Sequence, residues 1–169
     1  MRRLRFASFL AGFSVLVVFV SVSWTKDDPM AANKDLVRRV YEDVVNKGSF
    51  DVVDAVVDPG YVYHTDPSMG GPAGVKQLIG KYRAAFPDLA LVVEDLVAEG
   101  DRVAVRWSAT GTNKGEIMGM KATGKSVAIS GMAFYRIKGG KIAEGWEIME
   151  DLGMMQQLGV VPMIGETAK

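Results

Sequence analysis

The chain has 169 residues, enough for one domain with a sizeable core, and its 49% hydrophobic and 24% charged content is ordinary for a globular protein. Twenty Lys and Arg balance twenty Asp and Glu, but Arg2, Arg3 and Arg5 crowd the first five residues; the remainder holds 17 basic against 20 acidic residues, which argues against a nucleic-acid partner. With no cysteine present, disulfides, thiolate nucleophiles and thiolate metal sites are excluded.

Residues 1–29 read as an address rather than as part of the fold. The basic start MRRLR precedes an uncharged apolar run from Phe6 to Trp24, the pattern of a secretory signal or an N-terminal anchor. Its length approaches the roughly 20 residues that span a bilayer as a hydrophobic helix. Ser21-Val22-Ser23 offers a small-residue cleavage site, and Trp24 suits either a mature start or an interfacial anchor. The protein is therefore expected to be exported or membrane-anchored through residues 1–24, touching membrane only there. Translation from Met30, which opens MAANKDLVRRVYEDV, would instead make it cytoplasmic. Lys26 to Pro29 read as a linker, residues 30–162 as the domain and 163–169 as a tail.

Within the domain, Leu36, Val37, Val40, Tyr41, Val44 and Val45 form one apolar stripe and predict a helix over 33–47, capped by Asn33 and ended by Gly48. A short helix over 51–57 stops before Pro59, and Tyr61–Thr65 reads as a strand. After the turn-rich residues 66–74, Val75–Phe86 predicts a third helix, ended by Pro87. Strands follow: Leu89–Ala98, Arg102–Thr112 with Val103, Val105, Trp107 and Ala109 on one face, Ser126–Lys138, and Lys141–Met149 across a Gly139-Gly140 turn. Asp151–Leu158 predicts a closing helical turn. Helices first and antiparallel strands afterwards mean α+β. Long strands must twist, so a curved antiparallel sheet with helices on its concave face should leave a conical, apolar small-molecule cavity.

The ordered segments NKDLVRRVYEDVVNKGSFDVVDAVV, YVYH, GPAGVKQLIGKYRAAFPDL, VEDLVAEGDRVAVRWSATGTNKGEIMG, TGKSVAISGMAFYRIKGGKIAEGW and DLGMMQQLG resemble the SnoaL-like polyketide (ester) cyclases of the NTF2-like fold. The resemblance spans about residues 33–162 and rests on the set, particularly AAFPDL, EGDRVAVRW and GMMQQLG. It implies the cone-shaped fold, a pocket that uses no cofactor, and a carboxylate acting as acid and base on a carbonyl-bearing substrate, by aldol cyclisation, isomerisation or hydration. It also implies a homodimer formed through the outer sheet face. Fold alone does not fix the reaction.

The resemblance points to acidic residues one and four positions after Trp146, here Glu147 and Glu150. Burial in an apolar pocket would raise such a carboxylate toward the pKa that proton abstraction beside a carbonyl needs. Strand alternation puts Glu147 with Met149, opposite Trp146 and Ile148, so Glu147 and Glu150 should face different ways; Glu147 is the preferred base, and solvated charges at a strand end are the alternative. His64, the single histidine, matches a pocket position of the family as a hydrogen-bond donor to a substrate oxygen; a structural histidine is the alternative. Family members often carry a His just before this Trp, where this chain has Gly145. Tyr61, Tyr63, Trp107, Met132, Phe134 and Trp146 are the candidate substrate-binding residues, with Met118, Met120 and Met149 as further soft wall. No metal is expected, since His64 and Asp66 supply too few ligands. The missing histidine and the export segment support an alternative: a non-catalytic exported or tethered domain that binds a lipophilic small molecule.

Overall fold

The computed structural model describes residues 28–162. The apolar run 6–24, with the hydrophobic helix, signal and anchor expected of it, and the tail 163–169 lie outside the described residues. Among the described residues, no helix is long and apolar enough to cross a membrane.

Helix α1 (Pro29–Arg39) starts four residues before the expected Asn33. Asp28, expected in a linker, caps it: its carboxylate accepts the Met30 N–H at 2.9 Å, and Pro29 supplies the preset φ of a first helical position. The helix continues into π-helical turns at Val40–Asn46, which bury Val40, Tyr41 and Val44. Gly48 ends it with φ +73°, its N–H on the Val44 carbonyl at 3.1 Å. Asn46 then pairs with strand backbone through its amide, donating to Leu91 O and accepting from Leu91 N, both at 2.8 Å. Arg83 donates to the end carbonyls Val45 O and Asn46 O at 2.6 and 2.7 Å. The π turns are thus tied to both a sheet edge and a neighbouring helix.

Helix α2 (Asp51–Val56) runs directly into β1 (Val57–Tyr63). Helix α3 (Gly71–Ala85) starts at Gly71-Pro72, again earlier than the expected Val75. The other strands are β2 (Ala90–Glu99), β3 (Arg102–Thr112), β4 (Ser126–Lys138) and β5 (Lys141–Met149), followed by α4 (Asp151–Leu158). They form one five-stranded sheet in the order β1-β5-β4-β3-β2. The sheet is mixed, which corrects the expected antiparallel one: β1 lies parallel to β5. Most of the domain intervenes between them, so no hairpin constrains their direction, and Pro59 is tolerated because β1 is an edge strand.

One sheet face is buried under the helices and carries Val103, Val105, Trp107 and Ala109 of β3 and Val127, Ile129, Ala133 and Tyr135 of β4. Val37, Val44, Val53 and Val56 are fully buried from the helical side. Each such side chain contributes about 1.5–3 kcal/mol by leaving water. The β3–β4 connection is organised by Asn113, itself fully buried. Its amide oxygen accepts the Thr123 N–H at 2.7 Å and its amide nitrogen donates to Gly115 O at 2.8 Å.

Candidate active site

The interior between helices and sheet holds two small chambers that meet at Glu147. The larger, about 110 Å³, is almost wholly apolar and is bordered by Tyr41, Leu78, Tyr82, Phe86, Trp107 and Met149 among others. The smaller, about 80 Å³, is bordered by Tyr61, Tyr63, Val75 and Tyr135, and shares Tyr41, Leu78 and Glu147 with the first.

Glu147 owes its direction to the pleat of β5. Gly145 and Glu147 face inward, while Trp146 and Ile148 stand 38% and 80% exposed on the other face. Thr65 clips the strand at this residue, its hydroxyl accepting Glu147 N–H and donating to Glu147 O, both at 2.9 Å. The Tyr63 hydroxyl donates to Glu147 Oε2 at 3.1 Å. Burial raises the carboxyl pKa above the ordinary glutamate range, against the opposing hydrogen bond from Tyr63 and the nearby Trp107 N–H; Asp151 raises it further. As a chamber wall, the side chain keeps some accessible surface although its carboxylate is strongly desolvated.

Phenols surround this group. Tyr41 and Tyr135 hydrogen-bond to each other through their hydroxyls at 2.8 Å and are buried. Tyr61 stacks beside Tyr63 with ring centroids 6.4 Å apart. Desolvation, reinforced by the charge of Glu147, pushes the Tyr61 and Tyr63 hydroxyls well above their ordinary values. Tyr82 is pushed up to about 12, by burial first and then by Asp151 and Glu147. These phenols therefore stay protonated and act only as donors toward a developing anion.

Gly145, where the family pattern suggested a histidine, has a structural reason. A Cβ there would overlap the Tyr61 hydroxyl, so the phenol occupies the space a side chain would need. A protonated phenol thus stands in the interior at the position where an imidazole was expected.

Of the residues singled out in the sequence, Glu147, Tyr61, Tyr63 and Trp107 come together at the chambers. Five do not. Glu150 lies past the end of β5, where its carboxylate accepts the Ser130 N–H at 2.7 Å. His64 is on the outer face, its Nε2 3.1 Å from Glu144 Oε2 and its ring stacked on Trp146 at 4.3 Å. Met132 and Phe134, 61% and 38% exposed, alternate with inward Gly131, Ala133 and Tyr135, and so share the outer face with Trp146. Met118 is exposed in the β3–β4 connection, Met120 packs against the core, and Met149 borders the larger chamber. Tyr41 of the first helical stripe, with Leu78, Tyr82 and Phe86 of the third helix, also serves as chamber wall, a role that depends on the sheet they face. Among the described residues, no group of three or more His, Asp or Glu is placed to hold a metal ion.

A family model described as SnoaL-like polyketide cyclase matches residues 35–158. The chain is 29% identical over 136 residues to the aklanonic acid methyl ester cyclase DnrD of Streptomyces peucetius, covering 77% of this chain and 92% of that one. Its fold is similar to that of TsrD from Streptomyces laurentii, with a TM-score of 0.73 and 28% identity over 78% of this chain and 97% of that chain. A SnoaL-like polyketide cyclase from Agrobacterium tumefaciens is likewise similar, with a TM-score of 0.64 and 28% identity over 75% and 98%.

Proposed function

The chain belongs to the SnoaL-like polyketide cyclase family, and from that premise we propose that it is an acid–base enzyme whose base is Glu147. The observation that carries this reading is a single carboxylate, raised in pKa by burial, at the junction of two otherwise apolar or phenolic chambers. Such a group is suited to take a proton from a carbon next to a carbonyl. The C–H electron pair passes into an enolate, the proton rests on Glu147, and the phenols stabilise the developing oxyanion. In an intramolecular aldol closure, the enolate carbon then bonds to a second carbonyl carbon, and Glu147 returns its proton to the new alkoxide. Isomerisation and hydration draw on the same proton transfer.

The test needs no natural substrate. Phenylacetone in deuterated buffer exchanges its α-hydrogens slowly, and proton NMR follows the loss. The native chain should accelerate exchange and Glu147→Gln should not; equal rates for both would overturn the assignment.

The outer sheet face supports a homodimer. It exposes Val97, Met132, Phe134, Trp146 and Ile148, an apolar patch of the kind that marks an interface. Sedimentation should give a dimer at micromolar concentration, and Ile148→Asp a monomer. Export or anchoring through residues 1–24 rests on the basic-then-apolar pattern there, and N-terminal mass spectrometry of native protein tests it.

One observation favours a binding domain without turnover: Tyr61 fills the place of a second proton-transfer group at Gly145. Lipophilic molecules that co-purify and survive prolonged incubation unaltered would support that reading.

A further inference from the structure

Among the described residues, one buried side-chain polar atom has no hydrogen-bond partner, the indole Nε1 of Trp107. The residue is only 4% exposed and borders the larger chamber together with Glu147. Its N–H lies near enough to the Glu147 carboxylate to lower that group's pKa, yet it forms no hydrogen bond with it. Leaving such a donor unmade inside a protein costs about 1–3 kcal/mol. The placement is also rigid. Trp107 pairs across the sheet with Gly131, and the indole lies flush where a Cβ of Gly131 would be. A glycine is required opposite this ring, so the ring has a fixed seat and an N–H with a fixed direction.

The chambers limit what such a donor can receive. A cavity of about 150 Å³ lined by aliphatic and aromatic side chains holds one benzene. The larger chamber, at about 110 Å³, is of that order, and the smaller adds about 80 Å³ on the other side of Glu147.

We propose that the Trp107 N–H receives the carbonyl oxygen of the substrate, with the apolar group next to that carbonyl seated in the larger chamber. The oxygen on Trp107 leaves the adjacent carbon facing Glu147. When the C–H bond breaks, charge grows on that oxygen, and the N–H bond to it strengthens as the proton reaches the carboxylate. The catalytic half of this inference rests on the acid–base reading of Glu147; the binding half does not.

Two measurements test it. In proton–nitrogen NMR of the 15N-labelled full chain, three indole N–H signals are expected, from Trp24, Trp107 and Trp146, and Trp107→Phe identifies the one that matters. Millimolar phenylacetone should move that signal downfield, in the native chain and in Glu147→Gln alike. No movement with phenylacetone overturns the proposal. In the deuterium-exchange assay, Trp107→Phe keeps an aromatic side chain, though a smaller one, and loses the donor, and the maximal rate should fall about 100-fold, with a smaller change in half-saturation. An unchanged rate overturns the donor role while leaving Glu147 as base. A shifted indole signal in a chain that exchanges no deuterium would sink the acid–base reading and leave the binding site standing.

Discussion

Replacing Gly145 by alanine probes the Tyr61–Gly145 juxtaposition directly. A methyl group there would overlap the Tyr61 hydroxyl and meet Tyr135 Cε1 and Tyr61 Cζ at 3.2 Å each. Overpacking of this kind costs about 1–3 kcal/mol. Against it, losing a glycine from an extended position reduces the freedom of the unfolded chain, worth about 0.4–1 kcal/mol. The steric effect wins, and Gly145→Ala should lose about 1–2 kcal/mol, or about 3–8 °C of Tm for a domain of this size. The interior phenol bonds join Tyr41 to Tyr135, Tyr63 to Glu147 and Tyr82 to Met149, so Tyr61→Phe removes a hydroxyl outside all three and should cost no more than about 0.5 kcal/mol. In the double variant the overlapping atom is gone and only the two 3.2 Å approaches remain, which shifts of a few tenths of an ångström relieve. Urea unfolding of the four proteins should therefore give a favourable coupling of about 1–2 kcal/mol. If Tyr61→Phe fails to rescue Gly145→Ala, the hydroxyl does not occupy that space and the explanation of the missing histidine falls.

Asn113→Ala removes the amide contacts that hold the β3–β4 connection and leaves the Thr123 N–H unpaired, so urea unfolding should show a loss of about 2–4 kcal/mol. Asn113→Asp should recover only part, since the contact to Gly115 O needs a donor. Tyr41→Phe strands the buried Tyr135 hydroxyl and should cost about 1–3 kcal/mol, with Tyr41→Phe/Tyr135→Phe less destabilised than the two single losses combined. Because burial raises the Glu147 carboxyl, the folded chain binds its proton more tightly than the unfolded chain does. Stability contributed by this group is therefore present at and below the ordinary glutamate value of about 4.3 and is lost as pH rises through the folded value. Thermal unfolding across that window should show the loss in the native chain and not in Glu147→Gln; a matching slope in both would contradict it.

The late strands were legible because their signals are local. Alternation in Arg102–Thr112 and the Glu99-Gly100-Asp101 and Gly139-Gly140 turns mark strand ends within a few residues of sequence. The start of α1 carried a local signal too, Asp28-Pro29, but its closeness to the apolar run made it read as linker. In β4 the phase was available from Ser130 and Arg136, polar residues in step with Met132 and Phe134, which places all four outside. Met132 and Phe134 accordingly border the open hollow of that face with Trp146, not the interior chambers. The parallel pairing of β1 with β5 joins distant parts of the chain, and it is what sets the Tyr61 hydroxyl against Gly145 and Tyr63 against Glu147. The outward turn of His64 follows from the same pairing, since its N–H joins Gly145 O at 2.9 Å while its ring goes to Glu144 and Trp146. Nothing in the local sequence specifies those partners.

The proposed chemistry depends on the state of one carboxyl group, and a carbon-13 NMR titration of the Glu147 side chain in the full chain reads it directly. Midpoint above the ordinary glutamate value, moving further up when Tyr63→Phe removes the hydrogen bond at Oε2, is the expected result. A midpoint at or below that value, indifferent to Tyr63, would mean the carboxylate sits in water and is not a poised base.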